Sequence, residues 1–184
     1  MQADSQAPKT SVVVVMGVSG VGKTTIGVRL AERLGVPFVE GDSFHPPANI
    51  AKMSSGVPLD DADRLPWLEA LAAELERARR TGGGIVLVCS ALRRSYRDIL
   101  RDGHDDVVFL FLAGDKTLIG ERLAARRGHF MPPGLLDSQF AALEEPGADE
   151  SPIVIDVTPR LETLLARLPR ILRTALSSAP PRPY

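Results

Sequence analysis

The sequence runs to 184 residues, a length that suits one compact domain. Apolar residues make up 44% and charged residues 24%, and the formal net charge is −1. The missing basic surplus argues against a general affinity for nucleic acid or for an anionic membrane surface. The single cysteine, Cys89, excludes an intrachain disulfide, and no apolar run approaches the roughly 20 residues that span a bilayer.

Residues 1–11 are polar and lack the apolar core of a signal peptide, so a cytoplasmic protein is expected. Short apolar runs follow at Val12–Met16, Val36–Val39, Ile85–Cys89, Val107–Leu112 and Ile153–Val157. Most are β-branched or aromatic, and several are apolar throughout, which predicts strands buried on both faces of a parallel sheet. Helices are predicted between them at Lys23–Leu34, Arg64–Arg80, Arg93–Arg101, Lys116–Arg127, Gly134–Leu143 and Arg160–Leu176. In Arg64–Arg80, Leu65, Leu68, Leu71, Ala72 and Leu75 repeat at helical spacing, and Gly82-Gly83-Gly84 ends the pattern. Strand and helix alternate, so the fold class is an α/β sandwich with right-handed crossovers. The expected organisation is one domain over 12–176 between a polar tail and a Pro-rich tail at 177–184.

The string GVSGVGKT at Gly17–Thr24 fits the phosphate-binding pattern G-x-x-x-x-G-K-[ST], and it stands between a predicted strand and a predicted helix. Gly17, Gly20 and Gly22 permit positive φ, so the backbone N–H groups of the loop, including Val18, Ser19 and Val21, can close on phosphate oxygens. The helix beginning near Lys23, Thr24 and Thr25 presents free N–H groups to the anion. Lys23 is expected at the β- and γ-phosphates, and Thr24 at Mg²⁺. A nucleoside triphosphate is therefore the expected ligand.

A guanine-reading Asn-Lys-x-Asp segment is missing, because the one asparagine, Asn49, precedes Ile50. The strand Ile85–Cys89 runs into Ser90-Ala91-Leu92 with no acid for Mg²⁺. That leaves Asp42, just past the second strand, as the best-placed carboxylate. Open α/β sheets bind ligands beyond the carboxyl ends of their strands, and Gly17–Thr24, Asp42 and Cys89–Arg93 all belong there. Asp42 suits a general base that takes a proton from an attacking hydroxyl, or a holder of Mg²⁺-bound water. Cys89 and Trp67 read as packing residues.

Three longer segments are more specific than the loop. They are EGDSFHPPANIAKMSSGVPLDDADRLPWL from Glu40, CSALRRSYRDILR from Cys89 and RGHFMPPGLLDSQFAALEEP from Arg127. Together they closely resemble the gluconokinase family, over roughly Val12 to Leu172. The resemblance implies a P-loop kinase sandwich with a five-stranded parallel sheet, helices on both faces and a mobile lid over about 122–139. It implies ATP-dependent phosphorylation of D-gluconate to 6-phospho-D-gluconate, feeding the pentose phosphate pathway, and a homodimer. The other readings are a kinase of another small acid or sugar, such as shikimate, and a nucleotide-binding module without turnover. The polar segment Gly41–Leu68 favours an enzyme with an acceptor over a bare binding module.

On this resemblance His45 belongs to the acceptor pocket beside Asp42. Lys52, Arg64, Arg93 and Arg94 are candidates for the acceptor's carboxylate, with Arg64 alternatively pairing Asp61 and Asp63. In the lid, Arg122 and Arg126 share a helix face, and related kinases close such arginines over the transferring phosphate. Arg122 is assigned to the nucleotide and Arg126 to catalysis, while Arg127, His129 and Gln139 are assigned to the acceptor. Gly128 and Gly134 are candidate hinges, and the segment Asp156–Pro159 is expected to wrap the adenine.

Overall fold

The computed structural model describes residues 12–125 and 133–168. Five strands form one sheet: β1 (Val12–Met16), β2 (Phe38–Glu40), β3 (Ile85–Val88), β4 (Val107–Ala113) and β5 (Ile153–Asp156). Their order is β2-β3-β1-β4-β5 and every pairing is parallel. The helices are α1 (Lys23–Leu34), α2 (Pro47–Ser54), α3 (Asp61–Thr81), α4 (Arg94–Arg101), α5 (Lys116–Ala124), α6 (Pro133–Ala142) and α7, residues 161–168. The P-loop kinase sandwich expected from the sequence is the observed architecture.

The all-apolar strands follow from their position. Val13 and Val15 of β1 enter one core with Ile26, Leu30, Val86, Val88, Leu110 and Leu112. Val12, Val14 and Met16 enter the other with Trp67, Leu71, Leu75, Leu87, Phe109 and Phe111. Successive side chains point to opposite faces, so a central strand covered on both sides needs apolar residues at every position. All five residues of β1 are fully buried.

Two boundaries near the site and one whole element differ from expectation. The second strand is displaced from Val36–Val39 to Phe38–Glu40. α3 begins at Asp61, ahead of the expected Arg64, because Asp60 and Asp63 form a reciprocal capping box. The side chain of Asp60 accepts from Asp63 N at 2.8 Å, and that of Asp63 accepts from Asp60 N at 2.9 Å. Pro66 lies in the second turn, where its missing N–H forfeits one early helical bond. α2 was not among the expected elements; Pro47 in its first turn fits a helix start, where the missing N–H would be unpaired anyway.

The sheet order fixes where a ligand can sit. From β1 the chain crosses to β2 in one direction, and from β3 it crosses back to β4 on the other side. The crevice opens beyond the carboxyl ends of β1 and β3 at this switch point. The loops after these strands are tied there, with Cys89 N donating to Val15 O and Gly17 N to Ser90 O, both at 3.2 Å.

Candidate active site

The phosphate loop connects β1 to α1 as the motif requires. Gly22 caps α1 in the left-handed region at φ 102°, which a side chain would disfavour. Half-buried Lys23 folds back, and its Nζ donates to the carbonyls of Gly17 and Val18, each at 3.0 Å. Burial pulls its pKa below the ordinary lysine value, while the nearby Asp42 and Glu40 carboxylates oppose the shift. Lys23, Asp42 and Glu40 therefore share one electrostatic neighbourhood.

Thr24 Oγ1 donates to Glu40 Oε2 at 2.9 Å. Glu40 ends β2 at the ligand edge of the sheet, and burial raises its pKa against the Thr24 hydrogen bond. A hydroxyl and a carboxylate beside a phosphate cradle are hard oxygen donors, the set that Mg²⁺ takes together with phosphates. Glu40 was not singled out from the sequence, because the second strand was placed too early and its last residue fell outside.

Beyond Thr24 the loop borders a cavity of about 290 Å³ lined by Gly20, Val21, Gly22, Thr25, Arg122 and Pro159, among others. Arg122 donates to Val157 O at 2.7 Å, which holds it at this end of the cleft. The expected adenine segment and Arg122 thus meet beside the phosphate loop.

The acceptor segment turns sharply after β2. Gly41 begins a short 3-10 turn, Gly41–Phe44, and a Cβ there would lie 2.5 Å from Val88 O. Only glycine lets this turn approach β3 so closely. Trp67 of α3 closes the other side by donating from Nε1 to Gly41 O at 2.8 Å. His45 stacks on Trp67, with ring centroids 4.3 Å apart and planes inclined by 16°. Burial lowers the His45 pKa, the Asp42 carboxylate opposes this, and the Arg64 guanidinium adds to it. The neutral ring faces Asn49, whose Nδ2 donates to Asp63 O at 2.7 Å and lies 3.5 Å from His45 Nδ1. Trp67 is therefore a core residue, as expected, that also supports the site. Asp42 is exposed on the same turn.

The candidate cations divide. Lys52 pairs with Asp63 and lies 3.7 Å from Asp60, tying α2 to the start of α3. Arg93 NH1 donates to both oxygens of Asp61 at 2.8 Å. Arg94 pairs with Asp149 outside the acceptor segment. The alternative pairing of Arg64 with Asp61 and Asp63 does not form, since those acids are taken by Arg93 and Lys52. Arg64 instead donates from Nε to Leu59 O at 3.4 Å and lies over the Tyr96 ring.

Gln139, assigned to the acceptor from the sequence, meets the phosphate loop in the structure. It lies on the phosphate loop, where Oε1 accepts from Ser19 N at 2.7 Å and Nε2 donates to Ser19 Oγ at 3.1 Å. The physical reason is that α6 returns across the loop, offering a carbonyl oxygen to an N–H that has no partner of its own. Arg126, Arg127, His129 and Gly128 lie outside the described residues. Cys89 is fully buried and its thiol is pushed up to about 12 by burial, so it is no nucleophile, as expected.

Sequence reasoning also passed over Arg97. It is 1% exposed and forks onto Glu150, with NH2 to Oε1 at 2.8 Å, while NH1 donates to the carbonyls of Ala91, Leu92 and Glu144. Ala91 sits at φ 43°, unusual for a residue with a side chain, and Arg97 braces that turn between the two halves of the cleft.

This geometry sets a phosphate-loop motif beside the polar segment that follows β2, and comparison with known proteins gives it a family. A family model described as AAA domain matches residues 12–146. The thermoresistant gluconokinase of Escherichia coli (strain K12) is 44% identical over 163 residues, covering 88% of this chain and 93% of that protein. The gluconokinase of Gluconobacter oxydans (strain 621H) is 48% identical over 162 residues, covering 88% and 91%. The chain belongs to the gluconokinase family. The crystal structure of a gluconokinase from Sinorhizobium meliloti 1021 superposes with a TM-score of 0.78 at 43% identity, over 91% of each chain. Gluconokinase membership agrees with the resemblance carried by the segments from Glu40, Cys89 and Arg127. Among the described residues, no helix is long and apolar enough to cross a membrane.

Proposed function

We propose that the chain transfers the γ-phosphoryl group of ATP to D-gluconate, giving ADP and 6-phospho-D-gluconate. The observation that carries this reading is that Lys23 of the phosphate loop and Asp42 after β2 share one electrostatic neighbourhood, in a chain of the gluconokinase family. The phosphate loop Gly17–Thr24 holds the triphosphate through its backbone N–H groups and Lys23. The cavity beside Thr25, Arg122 and Pro159 takes the nucleoside end.

Asp42 accepts the proton of the attacking hydroxyl as the bond from that oxygen to phosphorus forms and the bond from phosphorus to the ADP oxygen breaks. His45, neutral and held by Trp67, is placed to bond a sugar hydroxyl. Thr24, with Glu40 behind it, would hold Mg²⁺, which when bound supplies charge for the phosphate oxygens. Arg126 is assigned to the transferring phosphate, and Arg127 and His129 to the acceptor side. A site of this kind rejects analogues that leave its buried polar groups unpaired, by factors of about 10⁴. The reading extends to a cytoplasmic location and to a homodimer, the latter tested by sedimentation of the purified protein.

A coupled ADP-release assay over a panel of sugar acids and sugars tests the activity. Turnover is expected with gluconate and not with shikimate or glucose. ATP binding without acceptor-dependent ADP release would remove the proposal.

A further inference from the structure

We propose that Arg64 is the cation that receives the carboxylate of the acceptor, and that Tyr96 and Asp61 are positioning residues that hold it ready. This inference rests on the reading of the site as a sugar-acid kinase. Gluconate carries its carboxylate and its C6 hydroxyl at opposite ends. The carboxylate's cation must therefore stand in the same cleft as Asp42 but away from Lys23.

Among the described residues, the other candidate cations around the acceptor segment already have carboxylate partners. Lys52 is held by Asp63 and Asp60, Arg93 by both oxygens of Asp61, and Arg94 by Asp149. Arg64 donates only from Nε, to Leu59 O at 3.4 Å, and no carboxylate lies within ion-pair distance of it among the described residues. Its two terminal amino groups have no hydrogen-bond partner among those residues. A guanidinium fork with both outer groups open fits a carboxylate in bidentate fashion.

Arg64 also faces the right space. It is half-buried, and its charge reaches His45, which in turn feels Asp42. The guanidinium lies 5.7 Å from the Tyr96 ring centroid, a cation–π distance. Tyr96 is buried, and its hydroxyl donates to Asp61. Burial and the Asp61 hydrogen bond push that phenol up to about 12, which keeps it a neutral donor. Asp61 in turn engages Arg93, whose guanidinium lies 5.8 Å from the same ring. One acid thus fixes the aromatic platform and neutralises the rival arginine.

Steady-state kinetics of the full chain with gluconate and with glucitol, its uncharged analogue, test the assignment. If the wild-type chain turns over no gluconate, the parent reading fails, independently of this one. Given turnover, Arg64→Gln is expected to raise the gluconate KM by roughly 10- to 100-fold, the loss typical of a charge-assisted pair. The ATP KM stays unchanged, and the preference for gluconate over glucitol collapses. Tyr96→Phe keeps the ring but frees it from Asp61, and is expected to raise the gluconate KM about 3- to 10-fold, the worth of one hydrogen bond, with the ATP KM unmoved. Adding it to Arg64→Gln should then bring no further loss. Retention of the gluconate preference in Arg64→Gln overturns the proposal, as does its loss in Arg93→Gln alone.

If Arg64→Gln does not fold, Arg64→Lys keeps the charge and removes the fork. Gluconate binding is then read from the fluorescence of Trp67, the one tryptophan, which stacks on His45. Weaker binding than wild type supports the assignment, and equal binding overturns it.

Discussion

The two halves of the cleft are built in different ways. The phosphate half is local: Gly17–Thr24 is one continuous segment, and the groups it offers are mostly backbone N–H groups set by the turn into α1. The acceptor half is assembled from the turn Gly41–Phe44, from α2 and α3, and from the start of α4. The first half needs only a strand, a loop and a helix start. The second needs the whole sheet to bring its side chains together, so it has more ways to fail.

The largest expected effect falls on the brace between the halves. Arg97→Met leaves Glu150 buried without its cation, which should lower folding stability by about 3–5 kcal/mol in urea unfolding. Both halves should loosen together, since Arg97 holds the Ala91 and Leu92 carbonyls. Equal stability to wild type would show that the brace is dispensable.

Next come the two residues that share one electrostatic neighbourhood, Lys23 and Asp42. Lys23→Ala and Asp42→Asn should each lower kcat by roughly 10²-fold or more in the coupled assay. They should separate in KM: Lys23→Ala weakens ATP, whereas Asp42→Asn leaves the ATP KM near wild type. Full kcat in Asp42→Asn would remove the general-base role.

A smaller effect is expected at the crossing of α6 over the phosphate loop. Gln139→Ala frees Ser19 N and should change the ATP KM by a few-fold, about the worth of one neutral hydrogen bond, with the gluconate KM unmoved. The opposite split would return Gln139 to the acceptor half.

The smallest is a pH effect. The folded-state pKa of His45 is depressed, mainly by burial. Its contribution to stability is therefore fully present above the ordinary imidazole range and is lost as pH falls through the depressed value. His45→Gln should flatten the acidic side of the stability profile measured by thermal melts across pH. An unchanged profile would show that His45 does not titrate with folding.

Legibility follows the same division. The strands β1 and β4, the helix α1 and the phosphate loop could be read directly, because a fully buried strand and a Gly-rich turn leave dense local signals. The position of Asp42 just past β2 was legible as well, because the apolar run before it marks a strand. Glu40 was not, because its role depends on where β2 stops. The pairings Arg93 with Asp61 and Lys52 with Asp63 were also hidden, since helical sequence alone does not say which neighbouring acid a long side chain will reach. The contact of Gln139 with Ser19 was hidden too, because nothing in its segment shows that α6 packs over the phosphate loop.

By itself, then, the sequence determined the α/β alternation, the phosphate cradle and, through three long segments, the kind of acceptor. Those properties rest on local periodicity, turn chemistry and contiguous motifs. Among the described residues, the tertiary structure alone decided which candidate cations are already paired with carboxylates, as Lys52, Arg93 and Arg94 are, and that Arg64 is not. That choice depends on distances between α2, α3 and α4, which are set by packing against a shared sheet and leave no trace in local spacing.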